Sequence, residues 1–334
     1  MTVKRRILCI DGGGIKGVFP ASFLACLEEA TGSQIADHFD LIAGTSTGGI
    51  IALGLGLGLR AADILSIYEK HGPAIFARPA PKGKANYLLS KLVPEVVRRR
   101  VQVKYGAAPL LAVLTETFGA RLLGESKTRL VIPAYHAAQR DVYVFKTAHH
   151  PRLEIDFKCR VVDVAMSTAA APTYFPAHKM LGGLALIDGG VWANNPAGLA
   201  VVEAIGILGW PRDELYVLSI GCTEPTYCIP HETSELQLAS GVSEIFLQGQ
   251  SKGALGTAKL LIGDTPQRRR LFRYQTVVPH GLFELDGIEH VSTLKGLGAA
   301  EARIALPEVR EIFLGPTAET FVPYRGTKDQ VTAA

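Results

Sequence analysis

Cysteine is scarce in this sequence, and its few copies form no recognisable framework. The chain has five cysteines, an odd number, and no two of them form a C-x-x-C pair. Disulfide-stabilised secreted domains and zinc ribbons need paired cysteines at regular spacing, so both classes are excluded. We therefore expect free thiols in a reducing compartment, and hence a cytoplasmic protein. The five positions are Cys9, Cys26, Cys159, Cys222 and Cys228.

Charge of one sign is also lacking. The 35 basic residues outnumber the 31 acidic residues by so little that the formal net charge is only +4. This small excess gives no reason to expect a DNA or RNA partner, and by itself it favours neither a membrane nor a nucleotide. With 48% apolar and 20% charged residues across 334 positions, the chain is expected to bury a large core. The apolar run before Asp11 is too short for a signal peptide.

One long uncharged stretch could be mistaken for a membrane span. Residues 41–59 include no charged side chain over nineteen positions, a length that could cross a bilayer. The stretch has six glycines, however, and a polar centre at Thr45, Ser46 and Thr47. Because polar groups and glycines fit lipid poorly, we expect a strand, a sharp turn and a buried helix here.

Apolar runs with strand character alternate with segments of helical character along the chain. This alternation predicts an α/β fold of three layers, with a mostly parallel central sheet and helices on both faces. A hairpin is expected near Gln139. We expect one domain over 1–315, a cap or lid insertion at 73–108 where proline, glycine and basic residues collect, and a mobile tail at 316–334. The expected strands are 6–10, 39–43, 129–133, 142–147, 184–187, 215–220 and 270–278.

The pattern G-x-S-x-G occurs at Gly44-Thr45-Ser46-Thr47-Gly48, between an expected strand and an expected helix. In that context it is typical of a nucleophile elbow, in which a sharp turn exposes the serine hydroxyl above the sheet. Gly44 and Gly48 would let the backbone pass closely. The same letters recur at 249–253, but no strand precedes Ser251. Ser46 is therefore the candidate nucleophile.

A run of glycines follows the first expected strand. The segment 12–17 satisfies G-x-G-x-x-G, which suggests dinucleotide binding, but the next strand ends in the serine elbow rather than in a ribose-binding acid. It also fails as a phosphate loop, since Gly17 follows Lys16. The amides of Gly12, Gly13 and Gly14 at a helix N-terminus are better suited to an oxyanion hole.

A serine nucleophile needs a base, and Asp188-Gly189-Gly190 follows another expected buried strand. Open α/β sheets place their sites at carboxyl ends of strands, so Asp188 is the candidate base. An aspartate with a pKa near ~4 needs desolvation and oxyanion stabilisation to do this work. None of the nine histidines stands in an informative pattern, yet a histidine triad stays open, because triad partners are distant in sequence.

Taken in order, these three motifs resemble those of the patatin-like phospholipases. The resemblance extends from about Arg6 to the strand at 270–278. It implies a Ser-Asp dyad of Ser46 and Asp188, an oxyanion hole at Gly12–Gly14 and no metal or other cofactor. Supporting positions implied by the motifs are Lys16, Gly44, Gly48, Gly189 and Gly190.

The sequence of residues 44–59 is most similar to that of bacterial patatin-like effectors of CBASS antiphage defence. That narrower resemblance implies a cytoplasmic phospholipase acting at the inner face of the membrane, switched on by a cyclic dinucleotide such as cGAMP, and a homo-oligomer. Basic residues in the expected cap, chiefly Arg98, Arg99 and Arg100, are candidates for binding that nucleotide or lipid headgroups. A solvated basic face would look the same. Lys82, Lys84, Lys104 and Arg268–Arg270 invite the same two interpretations.

Three alternatives remain. A constitutive lipid acyl hydrolase would have the same catalytic residues and no nucleotide control. A binding module that has lost activity would have no reason to keep Ser46, Asp188 and Gly12–Gly14 together. A dinucleotide-dependent oxidoreductase would need an acidic residue at the end of the second strand to hold the ribose, and this sequence has the serine elbow there instead.

Overall fold

The computed structural model describes residues 4–77, 103–226, 235–279 and 281–325. The strands in these ranges are β1 (Arg5–Ile10), β2 (Leu41–Gly44), β3 (Arg129–His136), β4 (Asp141–Lys146), β5 (His178–Lys179), β6 (Ala185–Asp188), β7 (Leu215–Thr226) and β8 (Leu271–Pro279). The helices are α1 (Val18–Thr31), α2 (Thr47–Gly56), α3 (Ala61–Ile75), α4 (Ala107–Phe118), α5 (Val161–Thr168), α6 (Gly190–Ala193), α7 (Ala197–Gly206), α8 (Glu235–Ile262) and α9 (Val291–Ile312).

The strands form one mixed sheet in the order β5-β6-β3-β2-β1-β7-β8, with β4 also paired to β3. The central pairs β1–β2, β2–β3, β1–β7 and β7–β8 are parallel. The pairs of β3 with β4 and β6, and of β5 with β6, are antiparallel. The expected mostly parallel α/β sheet is therefore confirmed, as is the hairpin, which β3 and β4 form.

Both faces of the sheet are covered, and β1 shows why the sequence requires it. Its side chains alternate, with Leu8 and Ile10 in one hydrophobic core and Ile7 and Cys9 in another, and all four are fully buried. A strand buried on both faces reads as a continuous apolar run, as β1 does. The larger core receives α1 to α5 and α9, and the smaller receives α7 and the end of α8.

The arrangement of β2, β3 and β6 positions the site. β4 pairs with β3 over Val131–His136, so it occupies one edge of β3 throughout that range. β2 pairs with Leu41 opposite Arg129 through Ala43 opposite Val131, and β6 pairs further along, with Asp188 opposite Ala134. β2 and β6 therefore share the other edge of β3 and meet end to end. Two carboxyl ends that are far apart in sequence face each other there.

Two long segments have defined structure within the described ranges. The uncharged stretch is β2, a turn and α2, and within the described ranges no helix combines the length and apolarity that a bilayer crossing requires. Part of the expected tail has contacts with the domain, since the Arg6 guanidinium donates to the carbonyls of Pro316 and Thr317 and the Tyr324 amide donates to the Ala148 carbonyl. Most of the expected cap, 78–102, and residues 326–334 lie outside the described residues.

Candidate active site

Ser46 occupies a strained turn between β2 and α2. Its backbone has φ 56° and ψ −122°, in a region that L-residues rarely enter. The turn is tight because a Cβ on Gly44 would lie 2.1 Å from the Gly48 carbonyl, and one on Gly48 would lie 2.2 Å from the Ile10 carbonyl. The two glycines therefore let the backbone double back, and the turn presents Ser46 at the N-terminus of α2. The geometry is that of a nucleophile elbow.

The hydroxyl of Ser46 donates a hydrogen bond of 2.6 Å to Asp188 Oδ2. The other carboxylate oxygen, Oδ1, accepts the Gly190 amide at 2.6 Å, so the carboxyl group is held at both ends. Gly189 permits the turn that follows, since a Cβ there would lie 2.2 Å from the Pro133 carbonyl. The two residues singled out in the sequence are thus in direct contact. Such a pair can carry out nucleophilic attack with proton removal.

Burial raises the pKa of the candidate base, Asp188. Asp188 is only 5% exposed, and this desolvation raises its pKa from 3.8 to about 6, although hydrogen bonds from Ser46 and Gly190 oppose the rise. A carboxylate with a pKa near the working pH is a stronger base than a free aspartate and is still ionised at neutral pH.

The glycine loop after β1 supplies two of the three expected amide donors. The Gly12 amide donates to the Asn194 carbonyl at 3.0 Å, so one of the three amides expected to form the oxyanion hole is already occupied. Within the described part of the chain, the amides of Gly13 and Gly14 have no hydrogen-bond partner, and both residues line the cavity described below. Gly14 has φ +58° and lies against the Leu285 carbonyl, which favours glycine there.

A buried ion pair anchors this loop. Arg273 of β8 binds Asp11 with two hydrogen bonds, of 2.9 Å and 2.6 Å, and also binds Ser219 and Gln275. Burial raises the pKa of Asp11, and the Arg273 guanidinium opposes that rise. The pair fixes the residue from which Gly12–Gly14 depart. Sequence reasoning missed Arg273, because it is 262 positions from its partner and belongs to no motif.

The end of α5 holds the nucleophile and the base together. The Thr168 hydroxyl accepts the Ser46 amide at 3.0 Å and donates to the Pro133 carbonyl at 2.6 Å. Two residues on, the Ala170 carbonyl accepts the Asp188 amide at 3.0 Å. Sequence reasoning missed Thr168, because it is 122 positions from Ser46 and belongs to none of the three motifs.

These groups open into a cavity of about 610 Å³. Its walls are mainly apolar and aromatic, which suits an acyl chain better than a polar ligand. Among the described residues, no histidine lines it, so the Ser46 hydroxyl faces a carboxylate rather than the imidazole of a triad. His231 and His280 lie outside the described residues. Apolar lining residues include Ile50, Tyr68, Phe76, Leu110, Phe175 and Phe246, and Lys16 lies on the polar side.

The remaining candidate residues form no hydrogen bond to Ser46 or Asp188 in the described part of the chain. Ser251 lines the same cavity, but it lies within α8, where its hydroxyl accepts a bond of 3.2 Å from Asn195, and no strained turn surrounds it. Lys104 forms an ion pair with Asp286. Arg269 pairs with Glu308, and the buried Arg270 donates to the backbone carbonyls of Arg212 and Leu215, so both guanidinium groups already have partners. Arg98, Arg99, Arg100, Lys82 and Lys84 lie outside the described residues.

Residues 8–201 match the sequence model of the patatin-like phospholipase family. The chain belongs to the patatin-like phospholipase family. The matched range covers more than half of the chain and includes all three motifs, so the resemblance inferred from the residues is confirmed. The alternative of a dinucleotide-dependent oxidoreductase was wrong.

Several relatives are similar to this chain over more than half of its length. The cGAMP-activated phospholipase of Pseudomonas aeruginosa is 38% identical over 217 residues, which is 64% of this chain and 61% of that protein. The cGAMP-activated phospholipase of Vibrio cholerae is 34% identical, over 59% of this chain and 57% of that protein. Patatin-like protein 2 of Oryza sativa subsp. indica is 36% identical, over 59% and 52% respectively.

The match spans about six tenths of the bacterial relatives' own length. Among solved structures, VipD from Legionella pneumophila aligns with a TM-score of 0.46 at 12% identity, covering 92% of this chain and 67% of that one. At this TM-score, the superposition supports no conclusion about the present chain.

Proposed function

We propose that the chain is a serine lipid acyl hydrolase of phospholipase A type, which cleaves ester bonds of membrane phospholipids with a Ser46–Asp188 dyad. The observation that carries this proposal is the 2.6 Å hydrogen bond between the two side chains at the base of an apolar cavity. Among the described residues, Cys9, Cys26, Cys159 and Cys222 are free thiols. The setting that we propose is the cytoplasm, with action at the inner membrane face.

In the acylation step, Asp188 Oδ2 takes the proton of Ser46 as the serine oxygen attacks the ester carbonyl carbon. The carbonyl oxygen becomes an oxyanion, which accepts hydrogen bonds from the Gly13 and Gly14 amides and is stabilised by the N-terminus of α2. The tetrahedral intermediate collapses, and the bond to the alcohol oxygen breaks. Asp188 returns its proton to that oxygen, so a lysophospholipid leaves and an acyl-serine remains.

In the deacylation step, water replaces the departed alcohol. Asp188 removes a proton from the water, whose oxygen attacks the acyl-serine carbonyl, and the same amides hold the second oxyanion. Collapse of this intermediate breaks the bond to Ser46 Oγ, which recovers its proton from Asp188. The free fatty acid is released and the dyad is restored.

Cyclic-dinucleotide control is the second part of the proposal. Three bacterial relatives, from Pseudomonas aeruginosa, Vibrio cholerae and Escherichia coli, have the name cGAMP-activated phospholipase, which supports an activator of that class and a role in antiphage defence. An activator must bind the active arrangement more tightly than the resting one. The proposed partners are therefore a phospholipid bilayer and a cyclic dinucleotide. A homo-oligomer stays an expectation from the resemblance.

A constitutive lipid acyl hydrolase is the second candidate. It is favoured by the rice relative named Patatin-like protein 2, which is similar to this chain at 36% identity and whose name includes no activator.

The test is fatty-acid release from phospholipid vesicles, with and without a panel of cyclic dinucleotides, for wild type and Ser46→Ala. We expect weak release without nucleotide, strong release with one member of the panel, and none from the variant. Full release without nucleotide, unchanged across the panel, would remove the activator and leave the hydrolase. Release by Ser46→Ala would remove the dyad.

A further inference from the structure

The second G-x-S-x-G sequence, at 249–253, lies within the helix α8 rather than in a strained turn, yet its glutamine lines the same cavity as Ser46 and binds the turn that follows Asp188. Gln250 Oε1 accepts the Asn194 amide at 2.6 Å, and its Nε2 donates to the Val191 carbonyl at 3.3 Å. Gln250 therefore binds the turn at 190–194 that follows the Asp188 motif. Nothing in the reaction proposed above uses this residue.

The turn at 190–194 joins all three motifs. Its Gly190 amide binds the Asp188 carboxylate, and its Ala193 carbonyl accepts the Thr45 hydroxyl at 2.6 Å, next to the nucleophile. Its Asn194 carbonyl accepts the Gly12 amide at 3.0 Å, at the start of the oxyanion loop. A displacement of this turn would move the base, the elbow and the amide donors relative to one another.

One peptide group within the turn is held from both sides. The Ala193 carbonyl and the Asn194 amide belong to the same planar peptide, and in a trans peptide they point in opposite directions. Thr45 binds the oxygen and Gln250 binds the N–H. These two bonds fix the plane of the peptide, and the next carbonyl along, that of Asn194, is the one that accepts Gly12.

We infer that Gln250 is a positioning residue for the oxyanion hole, acting through Asn194 and Gly12. The inference rests on the ester hydrolysis proposed above. Without Gln250, the Asn194 amide loses its acceptor and the 193–194 peptide is free to rotate about the remaining bond to Thr45. Gly12 then moves with the Asn194 carbonyl, and the adjacent Gly13 and Gly14 amides leave the position where the oxyanion forms.

We expect substitution of Gln250 to lower kcat. Removing one oxyanion donor outright costs about 10²- to 10³-fold, and a misplacement of about 1 Å can cost 10²-fold. Because Gln250 acts one step away, we expect kcat to fall about 10- to 100-fold in Gln250→Met, which has a similar length and no polar terminus. Gln250→Asn, which is one methylene too short to reach Asn194, should behave in the same way.

The experiment compares both variants with Thr257→Ala, which alters an exposed side chain on the same helix that does not line the cavity. All are assayed on a short-chain soluble nitrophenyl ester, with and without a saturating cyclic dinucleotide. Two inhibitors are also titrated. A trifluoromethyl ketone adds to Ser46 and places an oxyanion in the hole, whereas a non-hydrolysable ether lipid only fills the cavity.

We expect both Gln250 variants to lose kcat and trifluoromethyl-ketone affinity together, with KM, ether-lipid affinity and Tm close to wild type. Thr257→Ala should match wild type throughout. Unchanged kcat in both Gln250 variants overturns the inference while leaving the hydrolase intact. Parallel losses of ether-lipid affinity and Tm overturn it too, because they indicate a general structural role. An inactive wild type, by contrast, refutes the proposed function itself.

Discussion

Replacing Asp188 by asparagine should stabilise the folded protein above pH 6, even as it abolishes hydrolysis. Asparagine has nearly the same shape and retains an oxygen for the Gly190 amide, but it has no charge to bury. The wild-type carboxylate must be ionised inside a largely desolvated site. The same burial that makes it an effective base therefore lowers the stability of the fold.

The size of the effect follows from the pKa. Burial raises the pKa of Asp188 from 3.8 to about 6, and one pKa unit corresponds to 1.36 kcal/mol, so the penalty approaches about 3 kcal/mol. Its sign is set by proton binding. Between pH 3.8 and about 6 the folded state holds a proton that the unfolded chain has lost, so wild-type stability falls as pH rises through this window. Below it both states are protonated and the penalty vanishes.

The assay is urea unfolding of wild type and Asp188→Asn at pH 4, 5, 6 and 8, with the soluble-ester rate measured at each pH. The free energy of unfolding of the variant should exceed that of wild type by up to about 3 kcal/mol at pH 8, and the excess should shrink toward zero near pH 4. A difference that stays constant with pH would refute the reasoning, because it would mean that the Asp188 carboxyl is not shifted by burial.

Two further predictions concern the same groups. Because Asp188 must be ionised to accept the serine proton, kcat/KM for the soluble ester should rise with pH through an acid limb at about 6; a limb near pH 4 would contradict a desolvated base. Arg273→Met should lower the free energy of unfolding at neutral pH by about 3–5 kcal/mol, since it leaves the Asp11 carboxylate buried and unpaired. The double variant with Asp11→Asn should recover much of that loss in the same urea titration, and a stable Arg273→Met single variant would show that the pair does not anchor the loop.

The parts of the site that sequence reasoning predicted are those coded by local backbone constraints. The elbow could be predicted at Gly44, Ser46 and Gly48 because a nucleophile elbow needs small residues at fixed spacing around the serine. The glycines after β1 are readable for a similar reason, since a loop of exposed amides tolerates little else there.

Asp188 was predicted as the base from its position after a buried strand, and the sheet topology corrects the strand direction assumed there. It does follow a buried strand, but β6 runs antiparallel to β3 rather than with the parallel strands. Asp188 reaches Ser46 because β2 and β6 meet end to end along one edge of β3. Strand direction is decided by long-range pairing, which an apolar run of four residues does not encode.

The long-range polar partners were also invisible in the sequence. Arg273, Thr168 and Gln250 are separated from the groups they hold by 262, 122 and 56 positions respectively. The occupied Gly12 amide was missed for the same reason, since its acceptor is the backbone of Asn194. Such partners depend on how the layers pack, and no local propensity specifies them.

The central claim is that Ser46 attacks the substrate ester with Asp188 as its base. The most direct test is to treat the protein with an alkyl fluorophosphonate, which phosphonylates activated serines, and to locate the adduct by peptide mass spectrometry. We expect one adduct, on Ser46, whose extent parallels the loss of ester hydrolysis, with no adduct in Ser46→Ala and a much slower reaction in Asp188→Asn. An adduct on Ser251 or another serine, or full ester hydrolysis by Ser46→Ala, would contradict the claim.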